Sequence, residues 1–432
     1  MASPKVAIVG GGLSGALAAL VLRSRGLTPT LFDAGKRATG GRLAGGARHP
    51  DSGLQFLTAS DPRFISILGM LTREGLVAPW KARFGVLGMK GGGFLPAEVL
   101  HGTPIGSMMK EDGQDASIDF CNLLARGTNA VPLYCGFPSN ASIVPGLLAA
   151  AGVEVRSGAK VSRCQPLPGA QWRLDLEDLH ADDADVTDDA GPATESFDAL
   201  VLATHDASLA ASAVSAVIDS GIDVPSDVQD RLSELASNLR AQKRDRTDPV
   251  FTWSGYFPRG FSASVPFDAA TVPGSSVIRF LARDASKPGR PPERTIPTKH
   301  EELGELWTAV STPAFAKAVL QHADAAESGD SERGGNGAKM AQEAMTSEMN
   351  RLFQPYHSVE ASAHLAAAAK RWGAGFAADT LQLQEECIGL EPWRLAICGD
   401  YIAKPKGSPA EAAALSGMEA AERVALWFAD SV

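Results

Sequence analysis

The segment Lys5–Ala44 constrains the fold most strongly, because a strand, a glycine-rich turn, a helix and a second strand follow one another without interruption. The apolar run Val6–Val9 is short enough to be a buried strand of a parallel sheet. Glycines follow it at the G-x-G-x-x-G spacing, and the helical pattern after them ends at Gly26. The second strand ends at the acid Asp33. This order predicts a Rossmann-type unit that binds a dinucleotide.

Each part of this unit has a physical role in binding. Gly10 permits a tight turn, Gly12 lets the backbone approach a pyrophosphate, and Gly15 lets the helix pack closely on the strand. The amino terminus of the helix presents free N–H groups and its positive dipole end to that pyrophosphate. Asp33 is placed to accept hydrogen bonds from ribose hydroxyls. These residues alone leave NAD and FAD both open.

The loop after Asp33 favours FAD. Gly40, Gly41 and Arg42 lie where the chain should return toward the pyrophosphate. An arginine there adds a fixed positive charge and a planar donor fork for a diphosphate. A nicotinamide dehydrogenase does not need this second glycine-arginine loop. We therefore predict a larger ligand that stays bound, such as FAD.

Length and composition exclude several classes of protein. A chain of 432 residues exceeds one ordinary core, so two domains or interleaved segments are expected. The formal net charge of −10 argues against a nucleic-acid partner. Apolar stretches fall short of the roughly 18 residues that span a bilayer, and the first strand begins too early for a targeting segment. We expect a protein of the cytoplasm, or of an organelle stroma or matrix after processing.

The five cysteines and eight histidines are scattered along the chain. The cysteines form no C-x-x-C pair, which argues against a disulfide framework or a zinc site. We therefore predict no metal centre.

The nucleotide-binding domain is predicted to be discontinuous. Further buried strands are expected over 197–204 and 394–400, the second followed by a helix over 409–428. Polar segments near 180–196 and 323–338 are predicted to be loop insertions. The predicted bounds are a nucleotide-binding domain over 1–62, 140–209 and 388–432, and a substrate domain over 63–139 and 210–387.

Motifs along the chain resemble the renalase-like group of the FAD-dependent amine oxidase superfamily. The segment "DSGLQFLTASDPRF" follows the G-G-R loop, and further matches occur in order at 78–85, 135–149, 286–290, 371–372 and 397–417. The resemblance implies an α/β fold. Its parts would be a discontinuous Rossmann-type FAD-binding domain of the p-hydroxybenzoate hydroxylase and monoamine oxidase type, and a mixed α+β substrate domain.

The resemblance also implies roles for individual residues. Gly10, Gly12, Leu13, Ser14, Gly15, Gly41 and Arg42 would bind the diphosphate, Asp33 the ribose, Val161 the adenine, Gly53, Gln55 and Phe56 the isoalloxazine ring, Gly399 and Asp400 the phosphate or ribityl side, and Ala412 and Ala413 the pyrimidine end. The last two would place a helix amino terminus where it stabilises an anionic reduced flavin.

The implied activity is hydride transfer from a small dihydronicotinamide-like molecule or an amine to flavin N5, with reoxidation by O2 to H2O2. In such a reaction the cofactor carries the chemistry and the protein positions the substrate. His205, Trp372 and Phe56 are candidate catalytic residues. Trp253 and Trp307 either wall the substrate or pack in the core.

Other readings stay open at this point. Lys287 and Arg290 either recognise a phosphate or carboxylate of the substrate or lie on a solvated turn. The chain could also be a flavin-binding scaffold or assembly factor without turnover, or a flavin desaturase of an apolar substrate. The sequence leaves the oligomeric state undetermined.

Overall fold

The computed structural model describes most of the chain, with the helices and strands in the following order. The described residues are 3–36, 39–44, 50–88, 93–97, 132–179, 193–220, 224–245, 247–297, 299–326, 335–357, 366–377, 379–403 and 408–429. The helices are α1 (Leu13–Ser24), α2 (Pro62–Arg73), α3 (Ile143–Ala151), α4 (Ser208–Asp219), α5 (Ser226–Asp245), α6 (Pro313–Ala326), α7 (Gly335–Phe353) and α8 (Pro409–Leu426). The strands are β1 (Lys5–Val9), β2 (Thr28–Asp33), β3 (Val77–Pro79), β4 (Phe84–Leu87), β5 (Phe94–Pro96), β6 (Tyr134–Gly136), β7 (Glu154–Ser157), β8 (Ala159–Leu167), β9 (Gln171–Asp178), β10 (Ala193–Phe197), β11 (Ala199–Leu202), β12 (Thr247–Phe257), β13 (Ala269–Thr271), β14 (Ile278–Arg283), β15 (Arg294–Ile296), β16 (Lys299–Ser311), β17 (Ala366–Ala377), β18 (Ile388–Leu390) and β19 (Leu395–Ile397).

The first sheet draws its strands from the beginning, middle and end of the chain. Its order is β18-β19-β11-β1-β2-β7, and its pairings are parallel except for the antiparallel edge strand β18. The inner strands are apolar on both faces, with Val6–Ile8 and 199–202 completely buried. A parallel sheet needs cover on both faces, which accounts for these continuous apolar runs.

Two apolar layers cover this sheet. On one face α1, α2, α3 and α8 pack against it through residues such as Leu17, Leu147 and Val424. On the other face lie the antiparallel sheet β10-β9-β8 and the helices α4 and α5, joined around Trp172. The result is the three-layer arrangement expected of a dinucleotide-binding domain.

The second large sheet is mainly antiparallel. Its strands run in the order β17-β12-β16-β14-β13-β4-β5, and β15 pairs with β16. Alternate residues of each strand face opposite sides, as the period of two requires. Phe251, Trp253 and Trp307 face α6 and α7, whereas Val250 and Val310 face the nucleotide-binding half. This alternation leaves only the side chains on the second of these faces able to reach a ligand in the nucleotide-binding half.

Several segments differ from the sequence-based prediction. Helix α4 runs past the predicted domain bound at residue 209 and α5 lies wholly beyond it, yet both pack on the first sheet through Val214 and Leu239 because those faces are apolar. Residues 193–196 of the predicted insertion belong to β10, which pairs with β9. Residues 323–326 and 335–338 belong to α6 and α7. The rest of both insertions, 180–192 and 327–334, lies outside the described residues.

Within the described parts of the chain, no helix has the length and apolar character needed to cross a membrane.

Candidate cofactor site

A cavity of about 1110 Å³ lies where the carboxyl ends of β1, β2 and β11 meet the edge strand β17. Ligands of open α/β sheets bind at such strand ends. Predicted site residues that line it are Gly10, Gly12, Leu13, Ser14, Asp33, Gly41, Arg42, Val161, His205, Trp372, Gly399, Asp400 and Ala413. The remaining predicted site residues, Gly15, Gly53, Gln55, Phe56 and Ala412, are not part of its wall.

The glycine turn is shaped by close backbone contacts. Gly10 has φ +114°, and a side chain there would press on the carbonyl group of Ala203. A Cβ on Gly15 would overlap the Gly10 oxygen, so this glycine permits the packing of α1 on β1. A Cβ on Gly12 would meet no atom within 4 Å. The backbone at Gly12 is therefore open to the cavity at the amino terminus of α1.

Asp33 and the start of β8 form one end of the cavity, which the sequence predicts to bind adenosine and which is here called the adenosine end. The Asp33 carboxylate accepts a hydrogen bond of 2.8 Å from the Gly35 amide, and it lies against Gly11. Burial raises the pKa of Asp33, and the bond from Gly35 only partly offsets this. Val161, on β8, lines the same end. The site thus offers one carboxylate with acceptor capacity for hydroxyl groups.

Arg42 lies in the middle of the cavity, held by Asp400. The guanidinium donates two hydrogen bonds of 2.7 Å to the Asp400 carboxylate and one of 3.3 Å to the Gly375 carbonyl of β17. Its loop is tied to the glycine turn, because the Gly40 amide donates to the Gly11 carbonyl at 2.7 Å. Arg42 therefore connects the glycine turn, the end of β19 and the second sheet.

Cys398 lies beneath the glycine turn and not in the cavity wall. Ser14 donates from Oγ to its Sγ at 3.2 Å, and the thiol is completely buried. Burial raises the pKa of the Cys398 thiol to about 12, which keeps it protonated and unreactive. The amide of Gly399 is held by Ser416 Oγ at 2.9 Å.

The second sheet contributes an aromatic ring and a cation to the cavity. Trp372 donates its indole N–H to the Ser52 carbonyl, and the Lys370 ammonium lies 4.2 Å from the Trp372 ring centre. Within the part of the chain that the structure describes, no carboxylate pairs with Lys370, whose Nζ donates to Ser52 Oγ at 3.3 Å. Burial lowers the pKa of Lys370 below its ordinary value.

The amino terminus of α8 closes one side of the cavity. Ser408 caps the helix by accepting from the Glu411 amide, and Ala410 and Ala413 line the cavity. Ala412, predicted to face the ligand, instead donates its amide to the Ser408 carbonyl within the first helical turn.

The segment expected beside the isoalloxazine ring lies mostly behind the wall. Leu54 lines the cavity, whereas Gln55 and Phe56 are 0% and 1% exposed. Phe56 packs in an aromatic cluster, with ring centres 6.0 Å from Trp80 and 5.7 Å from Phe280. Gly53 also lies behind the wall, since a Cβ there would overlap the Arg42 carbonyl oxygen.

Of the other candidate residues, one lines the cavity and four are buried away from it. His205 lines the cavity directly after β11. Trp253 and Trp307 are completely buried on the helix-covered face of the second sheet, so they pack in the core. Lys287 and Arg290 are also buried and pair with Asp51, so they lie neither on a solvated turn nor in the cavity wall.

Sequence reasoning missed two kinds of lining residue. Lys370 and Phe376 lie on β17, each an even number of residues from Trp372. Only the alternation of side chains along an assigned strand could have predicted that they share its face. Lys160 and Glu177, which pair at 2.7 Å, border the adenosine end from a hairpin with no distinctive motif. In the described ranges, no group of three or more histidine, cysteine or carboxylate side chains is arranged to hold a metal.

Comparison with known proteins supports the architecture. Residues 8–64 match the family described as NAD(P)-binding Rossmann-like domain. No curated protein matches the chain by sequence.

Solved structures resemble the chain over almost its whole length. A protein from Exiguobacterium sp. 255-15, provisionally assigned as a protoporphyrinogen oxidase, is 14% identical, with a TM-score of 0.58 and 99% of both chains covered. Cyclohexylamine oxidase from Brevibacterium oxydans IH-35A is 12% identical, with a TM-score of 0.58, covering 98% of this chain and 99% of that one. Putrescine oxidase bound to putrescine is 12% identical, with a TM-score of 0.55 and the same coverage. The predicted fold class is confirmed: the chain has the Rossmann-type architecture of these oxidoreductases.

Proposed function

We propose that this chain is an FAD-dependent oxidoreductase of the renalase-like or amine oxidase-like kind. The observation that carries the proposal is the continuity of the cavity from the glycine turn, past Arg42, to Trp372 on the second sheet. A nicotinamide half-site would need only the first part. A ligand with a diphosphate in the middle and a flat ring system at the far end matches the whole.

The residues present fit FAD. Gly12 leaves open space where a diphosphate can approach the helix amino terminus. Arg42 supplies a fixed cation beside it, and Asp33 supplies the acceptor for the ribose hydroxyls. FAD, when bound, would supply two-electron redox chemistry: transfer of a hydride from the substrate, and then of that hydride together with one proton to O2, which gives H2O2.

The protein's own part would be binding, orientation and electrostatics. Asp400 holds Arg42 in place through two hydrogen bonds, and Trp372 offers a flat wall for a planar ring. The amino terminus of α8 presents a positive dipole end to the cavity. We assign contact with the pyrimidine end of the flavin to Ala410 and Ala413, because these two residues line the cavity at the start of α8. His205 stays a candidate at the strand end, with no assigned proton-transfer role.

Two substrate classes are compatible with this site, an amine and a dihydronicotinamide. The solved neighbours include oxidases of cyclohexylamine and putrescine. Lys370 favours the dihydronicotinamide, because a cation at the cavity wall repels a protonated amine and attracts phosphate groups.

A spectroscopic experiment tests the proposal. The purified chain, titrated with FAD, is expected to retain it through gel filtration and to show oxidised-flavin absorbance. Under anaerobic conditions a dihydronicotinamide is expected to bleach that absorbance, and admitted O2 to restore it with formation of H2O2. Bleaching by amines alone would reverse the substrate preference. Failure to retain FAD would overturn the enzyme proposal, and FAD that no substrate reduces would identify a binding scaffold.

A further inference from the structure

Asp51 is the centre of a buried polar network behind the cavity wall. Its carboxylate accepts from Arg290 Nη2 at 2.6 Å, from Lys287 Nζ at 3.0 Å and from the Asn140 amide at 3.3 Å. The side chains of Asp51, Lys287 and Arg290 are 5%, 0% and 1% exposed. Burial alone would raise the pKa of Asp51, but the two cations hold it below its ordinary value.

The network continues to Gln55, four residues along the chain. Gln55 Oε1 accepts from Lys287 Nζ and from Thr308 Oγ1, both at 3.1 Å. Its Nε2 donates to the Asp51 carbonyl at 2.5 Å. Both ends of the segment Asp51–Gln55, here called the hub segment, are therefore held by side chains of the second sheet and its adjoining turn.

The middle of the hub segment is also fixed by hydrogen bonds. The Ser52 carbonyl accepts from Thr252 Oγ1 at 2.6 Å and from the Trp372 indole. The Leu54 amide donates to the Arg42 carbonyl at 2.9 Å, and the Leu54 carbonyl accepts from Asn140 Nδ2 at 2.7 Å. The hub segment thus touches the two cavity-wall residues expected to meet the diphosphate and the ring system.

Three motifs that carry the resemblance to the renalase-like group meet here. "DSGLQ" is the hub segment itself, "CGFPSN" supplies Asn140, and "SKPGR" supplies Lys287 and Arg290. None of these three partner residues lines the cavity. All three bind the hub segment, so substrate recognition at the cavity wall does not account for their presence.

We propose that Lys287 and Arg290 are positioning residues for the cofactor, acting through Asp51 and the hub segment on Arg42 and Trp372. The inference rests on the proposed function, since it takes FAD as the ligand. Buried charges of this kind are costly unless they are fully paired, and they specify one arrangement of the groups they join. Loss of one cation would leave Asp51 undercompensated and release the hub segment from the second sheet.

The experiment compares Arg290→Met with Arg283→Met. Arg283, the last residue of β14, also pairs with an aspartate, Asp268, at 2.7 Å, but its side-chain hydrogen bonds go to Asp268 and Ser262 and not to the hub segment, so it serves as the control. We expect Arg290→Met to weaken FAD binding by about tenfold or more and Arg283→Met to leave it nearly unchanged. In the ligand-free chain, Arg290→Met should also accelerate amide hydrogen exchange in peptides covering 42–57.

Each outcome decides a separate point. Unchanged exchange over 42–57 in Arg290→Met would overturn the positioning role, as would faster exchange with unchanged FAD affinity. An equal loss of FAD affinity in Arg283→Met would assign the effect to general destabilisation and overturn it too. A wild-type chain that takes up no FAD overturns the proposed function, while the exchange data still decide whether the network fixes the hub segment.

A milder variant covers the case in which Arg290→Met does not fold. Thr308→Val removes a single hydroxyl donor to Gln55 and preserves the shape of the side chain. The same two measurements apply, and Arg290→Lys, which keeps the positive charge, should recover part of the FAD affinity. Absence of both effects in a folded Thr308→Val protein would separate Gln55 from the positioning role and overturn the network as described.

Discussion

Arg42 and Asp400 form a bidentate ion pair at the cavity, with both nitrogen–oxygen distances at 2.7 Å. The two residues lie 358 positions apart in the chain. The Asp400 side chain is 5% exposed and that of Arg42 is 24% exposed. The pair joins the loop after β2 to the end of β19. It fixes the guanidinium for which a diphosphate role is proposed.

Asp400→Asn removes the charge that holds Arg42 and should lower the free energy of unfolding of the ligand-free chain by about 1.5–3 kcal/mol. Glu422→Gln is the matched control, since Glu422 also binds an arginine through two oxygens but on the exposed surface. Its loss should be below about 1 kcal/mol. Denaturant unfolding measures both, and equal losses would contradict the structural importance of the Arg42–Asp400 pair.

Gly12→Ala and Gly15→Ala should separate ligand binding from folding. A methyl group on Gly12 projects into open cavity space, so stability should change by less than about 0.5 kcal/mol while FAD affinity falls strongly. A methyl group on Gly15 overlaps the Gly10 carbonyl and should cost about 1–3 kcal/mol of stability. Thermal unfolding and FAD titration check both, and unchanged FAD affinity in Gly12→Ala would refute the assigned diphosphate position.

Asp33→Asn should make the ligand-free chain more stable near neutral pH. Burial raises the folded-state pKa of Asp33, so the stability that this group contributes is complete below its unfolded pKa and is lost as pH rises through the folded pKa. Asparagine has no such titration. The Tm of the variant relative to wild type should therefore increase from about pH 4 upward and then level off.

The same Asp33→Asn variant should bind FAD more weakly, because the ribose hydroxyls lose a charged acceptor. A pH-independent Tm difference would argue against the buried titration, and undiminished FAD affinity would argue against the ribose role.

Lys370→Met should shift substrate preference toward amines. Removal of the cation beside Trp372 relieves repulsion of a protonated amine and weakens attraction for phosphate-bearing dihydronicotinamides. The ratio of kcat/KM values for the two classes should change severalfold. Lys160→Met, which removes a cation from the adenosine end, should leave that ratio unchanged. A ratio that moves equally in both variants would indicate a general field effect and not a local one.

The half of the cavity that the first strand-turn-helix-strand unit builds could be predicted from sequence because its determinants are local. The turn at Gly10–Gly15 and the acid Asp33 belong to one continuous strand-helix-strand unit, whose spacing reports its geometry. The other half depends on long-range packing. The placement of Trp253 in the core and of Trp372 in the cavity follows from the pairing of β12 with β17, which no local pattern specifies.

The buried charges were mispredicted for a related reason. Lys287 and Arg290 lie next to a proline and a glycine, which favours an exposed turn. Their burial is stabilised by Asp51, which lies 236 positions before Lys287 in the chain, and Arg290 also lies 3.8 Å from the buried Asp284 carboxylate. The sequence shows both cations and Asp51, but nothing in it indicates that they pair.

The alternation of side chains along β17 determines which of its residues face the cavity, so the number of residues in the strand matters for the site. Lys370 and Trp372 stand opposite Thr252 and Val250 and share their face, whereas Ala369 faces the helices. As an edge strand, β17 has its alignment set by a single neighbour, β12. Removal of one residue between Ala366 and Ala369 would place Arg371 and Gly373 at the strand positions that Lys370 and Trp372 now hold and turn the indole toward α7. Such a deletion would keep Lys370 and Trp372 in the chain. It would nevertheless replace the indole in the cavity wall by a glycine, which has no side chain, and the lysine by an arginine.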